Sequence, residues 1–508
     1  MNRVVDLIKQ KSEVIVLSLL ALFRIIYFNG LDIHYTVDSY EYISRDGFAW
    51  LSGVPDRYRL PVYPMLIDIL KSAFGDAYPY MLCLLQLIVS ICSIVVFYLI
   101  LKKLVNSKNL CMIFTAFYAT FNALTGWDKT LLTESLSLSL TVFLLFAIVS
   151  YIKSNKYKYI IEASVIIIIG SLLRAIFAIY GGLFFGFLII YTIFPGKFSS
   201  DSEKKLQRIK ILKGSLIALL PIVLILGYSY LFYNQYGCFT MSESALGQQL
   251  SVVLENEYYT NADDKELVKV ANHILNTKSE SLINRELYDF SAETVGFNES
   301  SYELFDELKQ KYLEANPDIM LDPKYEKFVE KYIDEIYSSK YDCDNFEAYF
   351  LARQYIMGNY DRNRIEDFVN DSKNQNIAEY MSNMIYNTFD NYKSYIESNE
   401  DEKVDPINGF IEFTLFTISF SVLQTAFIAL IEFAVFLYVL IKKKRTDWIR
   451  LGLAVFIIAG VILSVVGTNG EYARTAITSL PFVFTSLSLL CYNMVNRIKQ
   501  SKWLNLLI

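Results

Sequence analysis

Histidine is nearly absent from this chain: His34 and His273 are the two it has in 508 residues. With no His cluster, no HExxH and no CxxC, a histidine-built metal centre is not expected and no organic cofactor is implied, although a divalent cation held by carboxylates stays open. Of the six cysteines, Cys83, Cys92, Cys111 and Cys491 fall in apolar runs and read as small hydrophobes. Cys238 and Cys343 remain, a pair the sequence neither requires nor forbids. No repeat period is visible, and no nucleic-acid signature accompanies the charge. No small-x-small cleavage site follows the first apolar run, so a cleaved signal peptide is not expected.

Apolar residues are abundant. The hydrophobic fraction is 54% and the mean hydropathy +0.31, values of a polytopic membrane protein rather than a soluble enzyme. Long apolar segments occupy 14–30, 79–101, 110–126, 132–151, 159–175, 176–195, 211–233, 416–441, 448–467 and 475–495. Most approach the ~20 residues that cross a ~30 Å hydrocarbon core. An all-α polytopic fold with about ten transmembrane helices is predicted.

The net charge of −6 conceals a division. Residues 234–408 hold 35 acidic against 16 basic side chains, a net of −19, and the rest holds 18 against 31, a net of +13. Of those 31 bases, 22 cluster before the first segment, in alternate loops, or after the last, around Lys102, Lys153, Lys204, Lys442 and Arg497. Cationic loops stay on the cytoplasmic side. Both termini are therefore expected in the cytoplasm of a plasma-membrane protein, with 31–78, 127–131, 234–408 and 468–474 external. Three parts follow: a seven-span block (1–233), an acidic external domain (234–408) and a three-span block (409–508). The external domain reads as mainly helical from ENEYYTNADDKELVKVANHILNT and DPKYEKFVEKYIDEIYSS, with a turn at NPDIMLDPKY. Its acidity suits a solvated surface.

The first external loop is too rich in charge, tyrosine and proline for a tether. After Pro61, VYPMLIDILKSAFG places Val62, Leu66, Ile69, Leu70 and Ala73 on one helical face, with Gly75 as terminator. That helix is short enough to lie in the membrane interface. Asp38, in VDSYEYI, can accept a proton from a hydroxyl, or can be a solvated loop acid like Asp32, Glu41, Asp46 and Asp56. Arg24, Arg174 and Arg474 sit in or at apolar segments. There an arginine costs roughly 2.5–3.5 kcal/mol unless it meets a polar partner or snorkels to the headgroups. With Arg59, they and Asp38 outline a polar pocket at the outer interface, suited to a hydroxyl and to a phosphate gripped in bidentate fashion. Glu134 opens the fourth span near Asp128. It is either a dipole-favoured helix start or a second carboxylate facing Asp38.

These elements resemble, in order, the GT-C superfamily of polytopic glycosyltransferases, especially the protein O-mannosyltransferase and lipid A aminoarabinose transferase-like branch. The matching features are an Arg-bearing first span, D-S-x-x-Y (Asp38, Ser39, Tyr42) and R-x-P-x-Y-P (Arg59, Pro61, Tyr63, Pro64) before the interfacial helix. L-L-T-E ending at Glu134, Arg174, and E-Y-A-R ending at Arg474 complete the series. Residues 234–408 lie outside it. The resemblance implies inverting transfer of a sugar from a polyprenyl-phosphate-linked donor to an acceptor hydroxyl on a cell-envelope glycan, lipid or protein. By position it implies Asp38 as base, Glu134 as second acid, Arg59, Arg174 and Arg474 as donor-phosphate ligands, and Tyr42 and Tyr63 at the substrate. Two other readings compete. One is a polysaccharide polymerase or ligase with a lipid-diphosphate donor. The other is a transporter or flippase, which calls for polar groups near the bilayer midplane. A membrane-anchored adhesion module would leave ten spans unexplained.

Overall fold

The computed structural model describes residues 2–193, 201–276, 310, 348–388, 421–443, 446–467 and 472–500. The segments DPKYEKFVEKYIDEIYSS and NPDIMLDPKY, Cys343, and residues 409–420 lie outside that set. Among the described residues every regular element is a helix, and an isolated bridge joins His34 to Thr130. The described residues are those of an all-α polytopic membrane protein.

Each of the ten apolar segments is helical where described. Among the described residues seven helices are long and apolar enough to cross a membrane. Three others are shorter: Lys108–Thr120 has 13 residues, Tyr157–Leu173 has 17, and Ile176–Ile193 has 18. Lys108–Thr120 gives way at Phe121, whose extended backbone redirects the chain into the loop containing Asp128.

The two units are Met1–Ser242 with Ile385–Ile508, and Glu243–Met384. The second is narrower than the acidic block 234–408 because charge tracks solvation and compactness tracks contact. The helix Asp201–Tyr236 also runs beyond 233. Within Glu243–Met384, helices such as Ser244–Glu255, Lys265–Asn276 and Arg362–Gln375 bury Leu250, Leu267, Ile356, Ile365 and Val369. Asp361 caps the last of these helices, accepting from the Asn363 amide at 2.9 Å. Arg364 forks onto Asp264 at 2.6 and 2.9 Å.

In the first unit the helices Tyr78–Leu104 and Glu134–Ser154 pack side by side. The latter buries Ser135, Ser137, Ser139, Thr141 and Ser150, small residues that let helix backbones approach in an apolar medium. Ser137 and Thr141 donate to carbonyls within their own helix, at 2.9 Å each, so their hydroxyls are satisfied locally. The hairpin between Tyr157–Leu173 and Ile176–Ile193 needs Gly170, where an added Cβ would stand 2.5 Å from the Phe177 ring. The interfacial helix forms over Val62–Phe74 and stops at Gly75, which adopts a φ of +54°. It buries Tyr63, Pro64 and Ile67 against the protein and leaves Ile69 and Phe74 exposed. The face so exposed is the one a bilayer interface would cover.

Candidate active site

Asp38 stands in the first turn of a short helix, Val37–Ile43. Thr36 and Ser39 fix that helix start reciprocally: the Thr36 amide donates to Ser39 Oγ at 2.9 Å, and the Ser39 amide to Thr36 Oγ1 at 3.2 Å. Arg59 is placed by Asp56, whose Oδ1 accepts from the Tyr58 and Arg59 amides at 2.8 and 2.6 Å. This Asx turn sends the Arg59 guanidinium back across the loop. Its Nη2 donates to Asp38 Oδ1 at 2.5 Å, and its Nε to Glu41 Oε2 at 2.7 Å. The guanidinium lies over the Tyr42 ring, 4.7 Å from its centroid.

Three further segments complete the cluster. His34 and Lys129 join the first loop to the second through main-chain bonds: the His34 amide donates to Lys129 O at 3.0 Å and the Leu131 amide to His34 O at 3.1 Å. That pairing brings Glu134 alongside. Arg474, in the short helix Tyr472–Thr475, bridges both acids. Its Nη2 donates to Asp38 Oδ2 at 2.5 Å and its Nε to Glu134 Oε1 at 2.8 Å. Arg174 arrives through the break after Tyr157–Leu173, where its extended backbone (φ −154°, ψ 125°) ends the helix. Its Nη1 lies 3.3 Å from Glu134 Oε1, without hydrogen-bond geometry at that nitrogen.

The structure thus brings Asp38, Glu134, Arg59, Arg174 and Arg474 into one connected array, with Glu41 added. Three carboxylates face three guanidiniums, so the resting cluster is close to neutral. Accessibility separates the acids: the Asp38 side chain is 24% exposed, and that of Glu134 1%. Asp38 is the most accessible acid of the array. Burial opposes ionisation of Asp38, but Arg59 and Arg474 outweigh it and hold the carboxyl well below the usual carboxylate range. Among the described residues no three His, Cys, Asp or Glu side chains stand together as a metal site.

Tyr42 and Tyr63 lie behind the array. Their rings meet edge to face at 5.0 Å, and the fully buried Tyr63 donates its hydroxyl to Gln86 Oε1 at 2.9 Å. Gln86 is a polar side chain inside an apolar run, with no local pattern that marks its role. Its amide nitrogen donates to the carbonyls of Asp128 and Thr130 at 3.1 and 2.9 Å. Glu41 also escaped selection, since nothing local distinguishes it from the other loop acids. Arg24 is not in the array: it pairs with Asp128 at 2.5 Å in a buried site of its own, where Ser135 Oγ donates to Asp128 Oδ1 at 2.6 Å.

No family model matches the chain, and no curated protein matches it in sequence. Three solved structures align with most of its length. One is the archaeal oligosaccharyltransferase AglB from Archaeoglobus fulgidus in complex with an inhibitory peptide and a dolichol-phosphate. It is 11% identical with a TM-score of 0.41, covering 97% of this chain and 52% of that one. The apo form of the Archaeoglobus fulgidus oligosaccharyltransferase is 13% identical with a TM-score of 0.42, covering 96% and 52%. ArnT from Cupriavidus metallidurans in the apo state is 12% identical with a TM-score of 0.31, covering 95% and 78%. The chain thus spans about half the length of the oligosaccharyltransferases it matches.

Proposed function

We propose that this protein is an integral membrane glycosyltransferase, moving a sugar from a polyprenyl-phosphate-linked donor to an acceptor hydroxyl at the external face of the membrane. The observation that carries this reading is the convergence of an accessible carboxylate with three arginines from three separate segments. Asp38 takes the proton of the acceptor hydroxyl while the acceptor oxygen bonds to the anomeric carbon. The bond from that carbon to the donor phosphate breaks, and the phosphate leaves with the electron pair and the lipid. Arg59, Arg174 and Arg474 offset the charge that develops on it. Glu134 holds Arg174 and Arg474 in place. Arg174 has the fewest partners of the three and is the first to receive the phosphate.

The acceptor is a cell-envelope molecule bearing a hydroxyl, and residues 234–408 serve to position it. Transport is disfavoured because the array sits at helix ends and loops, away from the midplane sites of carriers. The test is turnover of purified protein on a polyprenyl-phosphate-linked sugar, read as released polyprenyl phosphate. Asp38→Asn should lower kcat by about 10²–10⁴-fold, the range of a general base. Asp32→Asn, six residues earlier and exposed, should be nearly silent. Wild-type turnover in Asp38→Asn would remove the assignment.

A further inference from the structure

Glu134 and Lys153 begin and end a single 21-residue helix. At ~1.5 Å per residue they are roughly 28 Å apart, close to the ~30 Å of a hydrocarbon core. The ends of four helices meet at the Lys153 side, contributing Leu104, Lys153, Arg450 and Arg497 to the lining of a cavity of about 610 Å³. This cavity lies on the membrane face opposite the carboxylate–arginine array, and the transfer reaction makes no use of it.

Its charges divide into held and free. Arg450 is buried and pairs with Glu432, with Asp447 3.6 Å from its Nε, so it forms a fixed wall. Lys153 and Arg497 are exposed and make no ion pair among the described residues. Asn493 and Asn496, from the helix Leu480–Gln500, add amide donors beside them. Two uncompensated cations with neutral donors suit a phosphate. The rim is apolar: Met494 is 62% exposed and Tyr438 50%, and Ile441 on the same helix as Tyr438 is 69% exposed. A soluble anion gives those side chains nothing to pack against, whereas acyl chains cover them. Basic pockets between helix ends facing the cytoplasmic leaflet are a recurrent way of holding lipid headgroups.

We propose that this cavity binds the phosphate-bearing headgroup of an anionic lipid in the leaflet opposite the carboxylate–arginine array. Lys153 and Arg497 grip the phosphate, Asn493 and Asn496 donate to its oxygens, and the rim at Tyr438 and Met494 receives the chains. The site stands independently of the transferase reading.

The test uses the full chain in phosphatidylcholine nanodiscs doped with phosphatidylglycerol, with native mass spectrometry counting retained lipid. Wild type should retain phosphatidylglycerol in preference to phosphatidylcholine. Lys153→Ala with Arg497→Ala should weaken retention about 25-fold, at roughly fivefold per basic residue near an anionic surface. Asn493→Asp, at an exposed position, sets a carboxylate against the phosphate and should weaken it at least as much as one lost cation. It keeps the test decisive if the double variant fails to insert. Asp38→Asn, on the far face, should leave retention unchanged. Equal retention of both lipids by wild type, or of phosphatidylglycerol by wild type and Asn493→Asp, would overturn the proposal. So would saturable binding of inorganic phosphate at these residues in pure phosphatidylcholine without phosphatidylglycerol preference, which would identify a soluble ligand.

Discussion

Arg474 lies 340 residues beyond Glu134 in the chain, and its Nε donates to Glu134 Oε1 at 2.8 Å. The same guanidinium reaches Asp38 through Nη2 at 2.5 Å. One side chain from the last membrane block therefore sets the spacing of two acids from the first. Each guanidinium that could receive a phosphate is already committed, fully or in part, to a carboxylate. On the proposed reading, donor binding is an exchange of partners.

Arg174 is the least committed of the three, with one ion-pair contact at 3.3 Å. Arg174→Ala should weaken donor binding about 10–100-fold, the value of a lost charge-assisted contact. The fold should be spared because Arg474 still satisfies Glu134. Arg174→Lys should recover only part, since an ammonium lacks the bidentate fork. Titrating donor into each variant measures this. Full recovery by lysine would show that charge alone is needed there.

Glu41 acts through Arg59. Its buried carboxylate accepts Arg59 Nε at 2.7 Å and faces Nη2 at 2.6 Å. Glu41→Gln should lower transfer about tenfold by loosening Arg59, consistent with the energy of a charged hydrogen bond. Combined with Arg59→Ala it should add almost nothing, because both substitutions remove one interaction. Additive losses in that cycle would give Glu41 a role of its own.

Why Glu41 had to be seen in the structure, while Asp38 stood out earlier, is a matter of packing. The loop contains several acids in similar local sequence, and three of them are spent on backbone. Asp46 accepts the Phe48 amide at 2.8 Å, Asp56 accepts the Tyr58 and Arg59 amides, and Asp68 accepts the Gly47 amide at 2.8 Å. Gly47 sits so close to the interfacial helix that a Cβ would fall 2.1 Å from the Met65 nitrogen. The approach of Val37–Ile43 to that helix buries Glu41, and no local pattern encodes it. Apolar runs and ordered short motifs made the helices, the interfacial helix and five members of the array legible. The support provided by Gln86 and the Arg24–Asp128 pair was not legible, since each depends on partners 23 to 104 residues away.

The Arg24–Asp128 pair makes a prediction about folding. Both side chains are almost fully buried, at 4% and 3% exposure. Asp128→Asn leaves Arg24 as an uncompensated buried charge and should cost about 3–5 kcal/mol. Arg24→Met with Asp128→Leu removes both charges and should recover much of that loss. Thermal unfolding in detergent compares the three. A double variant less stable than Asp128→Asn would mean that the pair contributes more than mutual neutralisation.

The exchange of partners should also be visible in the pH dependence of transfer. In the free protein Asp38 has its pKa lowered by Arg59 and Arg474. A carboxylate depressed in the folded state contributes stability above its unfolded pKa, near ~3.9, and loses it only as pH falls through the lower folded value. Asp38 therefore stays ionised in the free protein at all working pH values, and kcat/KM, which reports free-protein groups, should show no acid limb from it above about pH 4. In the donor complex the phosphate draws the arginines away, burial then dominates, and the Asp38 pKa rises toward that of a competent base. Because kcat reports the complex, its acid limb should lie at higher pH than that of kcat/KM. Profiles of both quantities on one donor preparation make the comparison. Coincident acid limbs would mean that the arginines keep their hold on Asp38 through the reaction, and that the phosphate is bound by other residues.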